Sequence, residues 1–94
     1  MTVLEIVLYA DAKEVALGPP VASQSVAITG GNVESDALGD SGKTYRCRLY
    51  AKAACRIERG ENPTADANSP EAFPAGHVEY FSHEGGHKIS VISD

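Results

Sequence analysis

Thr44-Tyr45-Arg46-Cys47-Arg48-Leu49-Tyr50-Ala51 alternates polar and apolar side chains along its length, and this period of two is the strongest sign of fold class in the chain. Tyr45, Cys47 and Leu49 point one way; Thr44, Arg46, Arg48 and Tyr50 point the other. Such a run is a strand with one face in a core and the other turned outward. Ala51-Lys52-Ala53 makes a short connection, after which Ala54 to Arg59 repeats the pattern, with Cys55 and Ile57 on the apolar side and Arg56 and Glu58 on the polar side. The expected arrangement is a β-hairpin over 44–59.

Upstream, Thr2 to Tyr9 is rich in Val, Ile and Leu and reads as a strand buried on both sides for part of its length. Asp11-Ala12-Lys13 breaks it, and Glu14 to Leu17 forms a short second strand or an extended arm before Gly18-Pro19-Pro20 stops any ladder. A helix over 10–17 is the alternative there, although helices shorter than about 12 residues depend on packing that this stretch offers weakly. Val21 to Thr29 reads as a strand ending at the turn Gly30-Gly31-Asn32. Positions 33–42 are acidic and Gly-rich, a loop with a brief extended piece over Val33 to Leu38.

Downstream, 60–76 is polar and interrupted by Pro63, Pro70 and Pro74, so a long surface loop that makes contacts is expected. The last strands are expected as a pair, 76–82 with 87–92, around Glu84-Gly85-Gly86. No helix-period segment and no repeat is visible. The expected fold is all-β: a single domain over 1–94, a small β-sandwich or jelly-roll-like domain of about 6–8 short antiparallel strands.

Aromatics make up 6% of the 94 residues and Trp is absent, so the core must rest on Val, Ile, Leu and Ala, which bury less area apiece. Self-association would add burial, and a homo-oligomer, dimer or trimer, is expected. A net charge of -5 argues against nucleic-acid binding, which needs clustered Lys and Arg. No apolar run approaches the roughly 18–20 residues of a membrane span, and the N-terminus carries no signal-peptide pattern, which predicts a protein made in a cytoplasm and no membrane partner.

Cys47 and Cys55 are too few for a disulfide scaffold and lack metal-site spacing. They lie symmetrically about Ala51, so the expected hairpin would set them opposite each other as two small buried residues, with a disulfide staple as the alternative.

Six of the eight basic residues, Lys43, Arg46, Arg48, Lys52, Arg56 and Arg59, fall within 43–59. Arg46, Arg48, Lys52 and Arg56 are expected on one polar face, a basic stripe that docks an acidic protein surface or pairs with Glu58 and other carboxylates. His77, His83 and His87, with Glu79 and Glu84, are the only set resembling metal ligands. An i, i+4 pair of histidines converges on a helix, and Gly85-Gly86 rules a helix out, so they read as exposed polar residues and no metal or other cofactor is expected. Neither a nucleophile elbow nor a phosphate-cradling loop is present, and Ser23, Ser25, Ser82 and Ser90 sit in strand-like runs, so the chain is read as no enzyme.

Several segments in order carry a resemblance: Gly18-Pro19-Pro20 with Ser23-Gln24-Ser25-Val26-Ala27-Ile28; Tyr45-Arg46-Cys47-Arg48-Leu49; Cys55-Arg56-Ile57 with Gly60 and Asn62-Pro63-Thr64-Ala65; Pro74-Ala75-Gly76 through Tyr80-Phe81; and Gly86 to Ile92. Over about residues 2–92 the chain resembles a family of small tailed-bacteriophage and prophage proteins encoded near head genes. The resemblance implies a β-sandwich or jelly roll and a virion structural role, that of a capsid decoration or cement protein. Its partner would be the major capsid protein and its place the capsid surface, reached from the host cytoplasm during assembly. In that setting Arg46, Arg48, Lys52 and Arg56 would face an acidic capsid patch, while the first strand and the 60–76 loop, including Asn62 and Pro63, would make lattice or oligomer contacts. The competing expectation is a carbohydrate- or receptor-binding β-module of a phage tail or host-attachment apparatus, working through Tyr50, Tyr80 and Phe81. A metal-dependent enzyme of cupin type, resting on the histidines alone, comes third.

Overall fold

Alternation at period two gives a strand one apolar face, and two sheets pressed together remove such faces from water. The computed structural model describes residues 2–10 and 20–94 and follows this rule with two four-stranded sheets. Eight strands lie among the described residues: β1 Val3–Ala10, β2 Pro20–Ala27, β3 Val33–Glu34, β4 Thr44–Ala51, β5 Cys55–Gly60, β6 Glu71–Phe73, β7 Val78–Glu84 and β8 Lys88–Ser93. The first sheet has the order β2-β1-β4-β7 and the second β3-β8-β5-β6, with every ladder antiparallel. The all-β sandwich expected from the sequence is therefore the observed architecture. No helix among the described residues is long and apolar enough to cross a membrane.

The core between the sheets is aliphatic, as the shortage of aromatics requires. Leu4, Ile6 and Leu8 from β1, Cys47 and Leu49 from β4, Ile57 from β5, and Ile89 and Val91 from β8 are fully buried. Each large aliphatic side chain removed from water in this way contributes roughly 1.5–3 kcal/mol. Tyr45 enters the same core, and its hydroxyl accepts a hydrogen bond from the Asp40 amide at 2.8 Å.

Strand faces match the sequence expectation, but the partners do not. The hairpin expected over 44–59 does not form: both edges of β4 are taken, with Leu49 opposite Ile6 of β1 on one side and Glu79 of β7 on the other. The connection at Lys52-Ala53-Ala54 instead arches across the core, and β5 pairs with β6 and β8 in the second sheet. The expected closing pair fails for the same reason. β7 belongs to the first sheet and β8 to the second, so Gly85-Gly86-His87 is another arch. An arch and a hairpin both keep apolar residues inward, and alternation alone does not separate them.

The glycines at the second arch have a steric cause. A β-carbon on Gly85 would run into the Asp40 carbonyl oxygen, and Gly86 has φ of +86°. Their amides donate to the Lys43 oxygen (2.7 Å) and the Leu38 oxygen (2.9 Å), clamping the arch onto the 38–43 loop.

Three further expectations are revised. β1 is buried on one face only, with Leu4, Ile6 and Leu8 fully buried and Val3, Glu5, Val7 and Tyr9 half-buried between them. Pro20 opens a ladder opposite Tyr9, which is tolerated because it is the first residue of an edge strand. The 60–76 segment contains a short edge strand, β6, with Phe73 opposite Cys55. The alternatives weighed for Glu14 to Leu17 lie outside the described residues.

The order of the strands is that of a jelly roll entered one strand early. Renumbered from β2, with β1 moved to the end, the sheets read 1-8-3-6 and 2-7-4-5. Residues 28–29 tie the two ends of the described chain together, for Ile28 donates its amide to the Thr2 oxygen and Ser93 donates to the Thr29 oxygen.

Candidate functional site: the open face of the first sheet

A two-layer sandwich has two outer faces, and register decides what each displays. On the outer face of the first sheet, Glu5, Tyr50 and Val78 form one cross-strand row. Val7, Arg48 and Tyr80 form the next, and Tyr9, Arg46 and Ser82 the third. Three of the four tyrosines and two arginines thus share one sheet surface. Tyr80 is 52% and Val78 43% exposed, large values for apolar residues on a strand. Lys52 closes one end, its Nζ 3.2 Å from a Glu5 carboxylate oxygen and 6.0 Å from the Tyr50 ring centroid.

This chemistry suits binding. Tyr and Arg offer large, amphipathic contact area and are enriched where proteins meet. Among the described residues neither Arg46 nor Arg48 forms a salt bridge, and the Arg48 Nε is shielded from solvent with no hydrogen-bond partner.

The second sheet presents a different exterior. Ser90 of β8 points outward between Glu34 and Glu58 yet is fully buried, because the 61–70 loop folds over it. The Ala65 amide donates to Ser90 Oγ (2.9 Å), and Arg56 Nη1 donates to the Ser69 oxygen (2.9 Å). Asp66 and Ser69 hold the loop's own turn through two hydrogen bonds, Asp66 N to Ser69 Oγ (2.9 Å) and Ser69 N to Asp66 O (3.1 Å).

The basic stripe expected over Arg46, Arg48, Lys52 and Arg56 is therefore divided. Arg46, Arg48 and Lys52 lie on the open face, whereas Arg56 crosses with the arch to the opposite exterior, where its Nε donates to Asp94 at 3.0 Å. Asn62 is exposed and Pro63 buried, both within the 61–70 loop of the other exterior, so neither joins the arginines of β4. The first strand is interior to its sheet, so it meets the surroundings through its outward face, where Glu5, Val7 and Tyr9 lie beside Tyr50, Arg48 and Arg46. Sequence reasoning missed Tyr9, Val7 and Val78 as members of the open face. Their outward parity was readable, but their adjacency to β4 was not.

The cysteines are separated in the same way. Cys47 stands opposite Leu8 and Phe81, Cys55 opposite Phe73 and Ser93, so they are not the facing pair of a hairpin. Both are free thiols, and burial pushes Cys47 up to about 12 and Cys55 up to about 11. They are unreactive core residues at neutral pH.

The histidines have three separate settings. His77 stacks on Phe73 (5.0 Å between centroids) and bonds Glu79 at 2.9 Å. His87 lies 3.4 Å from Glu84. His83 corrects the expectation of an exposed residue: it is buried opposite Tyr45, its Nε2 3.1 Å from the Leu38 oxygen, and burial lowers its pKa. Among the described residues no group of three or more His, Cys, Asp or Glu converges as a metal ion would require. Phe81, a candidate sugar platform in the sequence, turns inward at the rim, where the Arg59 guanidinium sits 4.0 Å from its ring centroid and bonds Glu71 at 2.8 Å. The depression lined by Ala10, Val21, Gly39, Asp40, Lys43 and Tyr45 holds an Asp40–Lys43 ion pair of 3.6 Å and brings no nucleophile against a base among the described residues. A comparison with protein-family models finds no match to this chain, and neither does one with curated proteins or with solved structures.

Proposed function

We propose that the protein is a non-catalytic docking module of a bacteriophage virion, a capsid decoration protein that seats the open face of its first sheet on the major capsid lattice and stabilises it. One observation carries the docking part: Tyr9, Tyr50, Tyr80, Arg46 and Arg48 share a sheet face that no loop among the described residues is seen to cover, while the 61–70 loop covers Ser90 on the opposite exterior. Charge supports an acidic partner, because a chain of net charge -5 places Arg46, Arg48 and Lys52 on this face. Complementary charge of this kind steers association and fixes orientation. The phage setting rests on the ordered resemblance of the segments from 18 to 92, and assembly would take place in the host cytoplasm, with the finished protein on the capsid surface.

The test is co-sedimentation with capsids lacking the protein. Wild type should pellet with them, the pair Arg46→Glu and Arg48→Glu should stay in the supernatant, and Arg56→Glu, on the other exterior, should still pellet. Wild-type protein that ignores such capsids would sink the reading. A second reading is carbohydrate binding by a tail or host-attachment module, favoured by Tyr80 standing exposed diagonally from Tyr50 on the same face. Reproducible glycan-array signals abolished by Tyr80→Ala, with no capsid binding, would select it.

A further inference from the structure

A sheet that ends in an unpaired strand offers a row of free backbone donors and acceptors, and proteins usually blunt such edges. Three of the four sheet edges here are blunted. β3 has two residues and β6 three, too short to template another strand. β2 begins with Pro20 and its ladder with β1 shifts register between Leu8 and Tyr9. β7 is different. Its seven residues, Val78-Glu79-Tyr80-Phe81-Ser82-His83-Glu84, pair with β4 without a register shift and contain neither Lys nor Pro. The run's two carboxylates each have a histidine beside them, Glu79 at 2.9 Å from His77 and Glu84 at 3.4 Å from His87.

Hydrogen-bond alternation identifies the free groups. The Ala51 amide donates to the His77 oxygen and the Gly85 amide to the Lys43 oxygen. In an antiparallel ladder, every second residue bonds the same neighbour. His77, Glu79, Phe81, His83 and Gly85 therefore face β4, and Val78, Tyr80, Ser82 and Glu84 turn their N–H and C=O groups toward the free edge. Val78 and Tyr80 are also the exposed large apolar residues of the strand. Strong β-forming side chains thus coincide with unused backbone hydrogen-bonding capacity.

We infer that β7 pairs antiparallel with β7 of a second copy about a two-fold axis at Tyr80, joining two first sheets into one continuous eight-stranded sheet. The strand is self-complementary in this register. Tyr80 meets its symmetry mate, Val78 meets Ser82 and Glu79 meets Phe81, so no carboxylate faces a carboxylate. Three residue pairs exchange about six backbone hydrogen bonds. A second copy, rather than a foreign strand, also answers the thin aliphatic core, since the pairing sets the exposed Val78 and Tyr80 of each protomer beside side chains of the other. The inference does not depend on what the open face binds. If that face binds a lattice, the dimer presents it twice on one sheet and gains avidity.

The test uses the whole chain in sedimentation equilibrium over a wide concentration range. Wild type should be a concentration-dependent dimer. Ser82→Pro removes an N–H that points only to the free edge, so it should weaken the dimer at least about tenfold while leaving circular dichroism and melting close to wild type. The variant Tyr80→Cys brings two thiols across the axis at a Cα separation of about 5.5 Å, within disulfide range. Mild oxidation should then give a covalent dimer, with buried Cys47 and Cys55 taking no part. A wild-type monomer or trimer, or a dimer indifferent to Ser82→Pro, overturns the inference. Should Ser82→Pro fail to fold, cross-linking of Tyr80→Cys decides, and its failure to cross-link overturns the pairing.

Discussion

The two exteriors of this sandwich are made of the same kind of strand and end in opposite states. On the first sheet, Tyr50, Tyr80, Arg46 and Arg48 are displayed; on the second, Ser90 points outward just as they do and is fully buried. The strands do not cause the difference. It comes from the 61–70 loop, which brings its own acceptors and donors to Arg56 and Ser90. A long, proline-studded loop in a small β-domain can therefore serve as a third layer, stabilising the face it covers and leaving binding to the other.

The contrast predicts where substitutions cost stability and where they cost only binding. The largest effect is expected from Ser90→Leu, which forces a bulky side chain under the loop. It should lower the unfolding free energy by about 3 kcal/mol in denaturant titrations and open 61–70 to limited proteolysis. Ser90→Ala keeps the volume but strands the Ala65 amide, an expected loss of about 1–2 kcal/mol by the same measurement. Arg56→Ala, which releases the Ser69 carbonyl and the Asp94 carboxylate at a partly exposed site, should cost about 1 kcal/mol. The smallest change is expected from Arg46→Ala on the open face, within about 0.5 kcal/mol of wild type in stability, with a clear loss in capsid co-sedimentation. Should Arg46→Ala destabilise more than Ser90→Ala, the division between a covered and a displayed face would collapse.

Much of this was legible in the sequence, and the part that was not has a physical reason. Alternation through 44–51 and 55–59 named the inward residues correctly: Tyr45, Cys47 and Leu49, then Cys55 and Ile57. Parity is a local property set by the pleat. Pairing is global, and the three-residue link at 52–54 could close a hairpin or an arch with the same inward residues. β1 and β7 decided the matter by occupying both edges of β4. The same misassignment made Arg56 a neighbour of Arg48 and made Cys47 and Cys55 a facing pair. Arg46, Arg48 and Lys52 share the open face because all three come before the chain crosses to the second sheet; the tyrosines beside them come in part from strands whose adjacency no local pattern encodes.

The winding of the strands also bears on how the protein is made. Among the described strands only β1 with β2 and β5 with β6 pair with their successors; β1 with β4, β3 with β8, β4 with β7 and β5 with β8 close across longer stretches. Such pairings cost loop-closure entropy before any contact rewards them, which places folding on the millisecond-to-second scale of β-sandwiches. β8 sits between β3 and β5 and fills the second sheet, yet it occupies residues 88–93. During synthesis β3 must therefore wait unpaired, and β5 with only the three-residue β6 beside it, until those residues leave the ribosome, and the nascent chain is most exposed to aggregation in that interval.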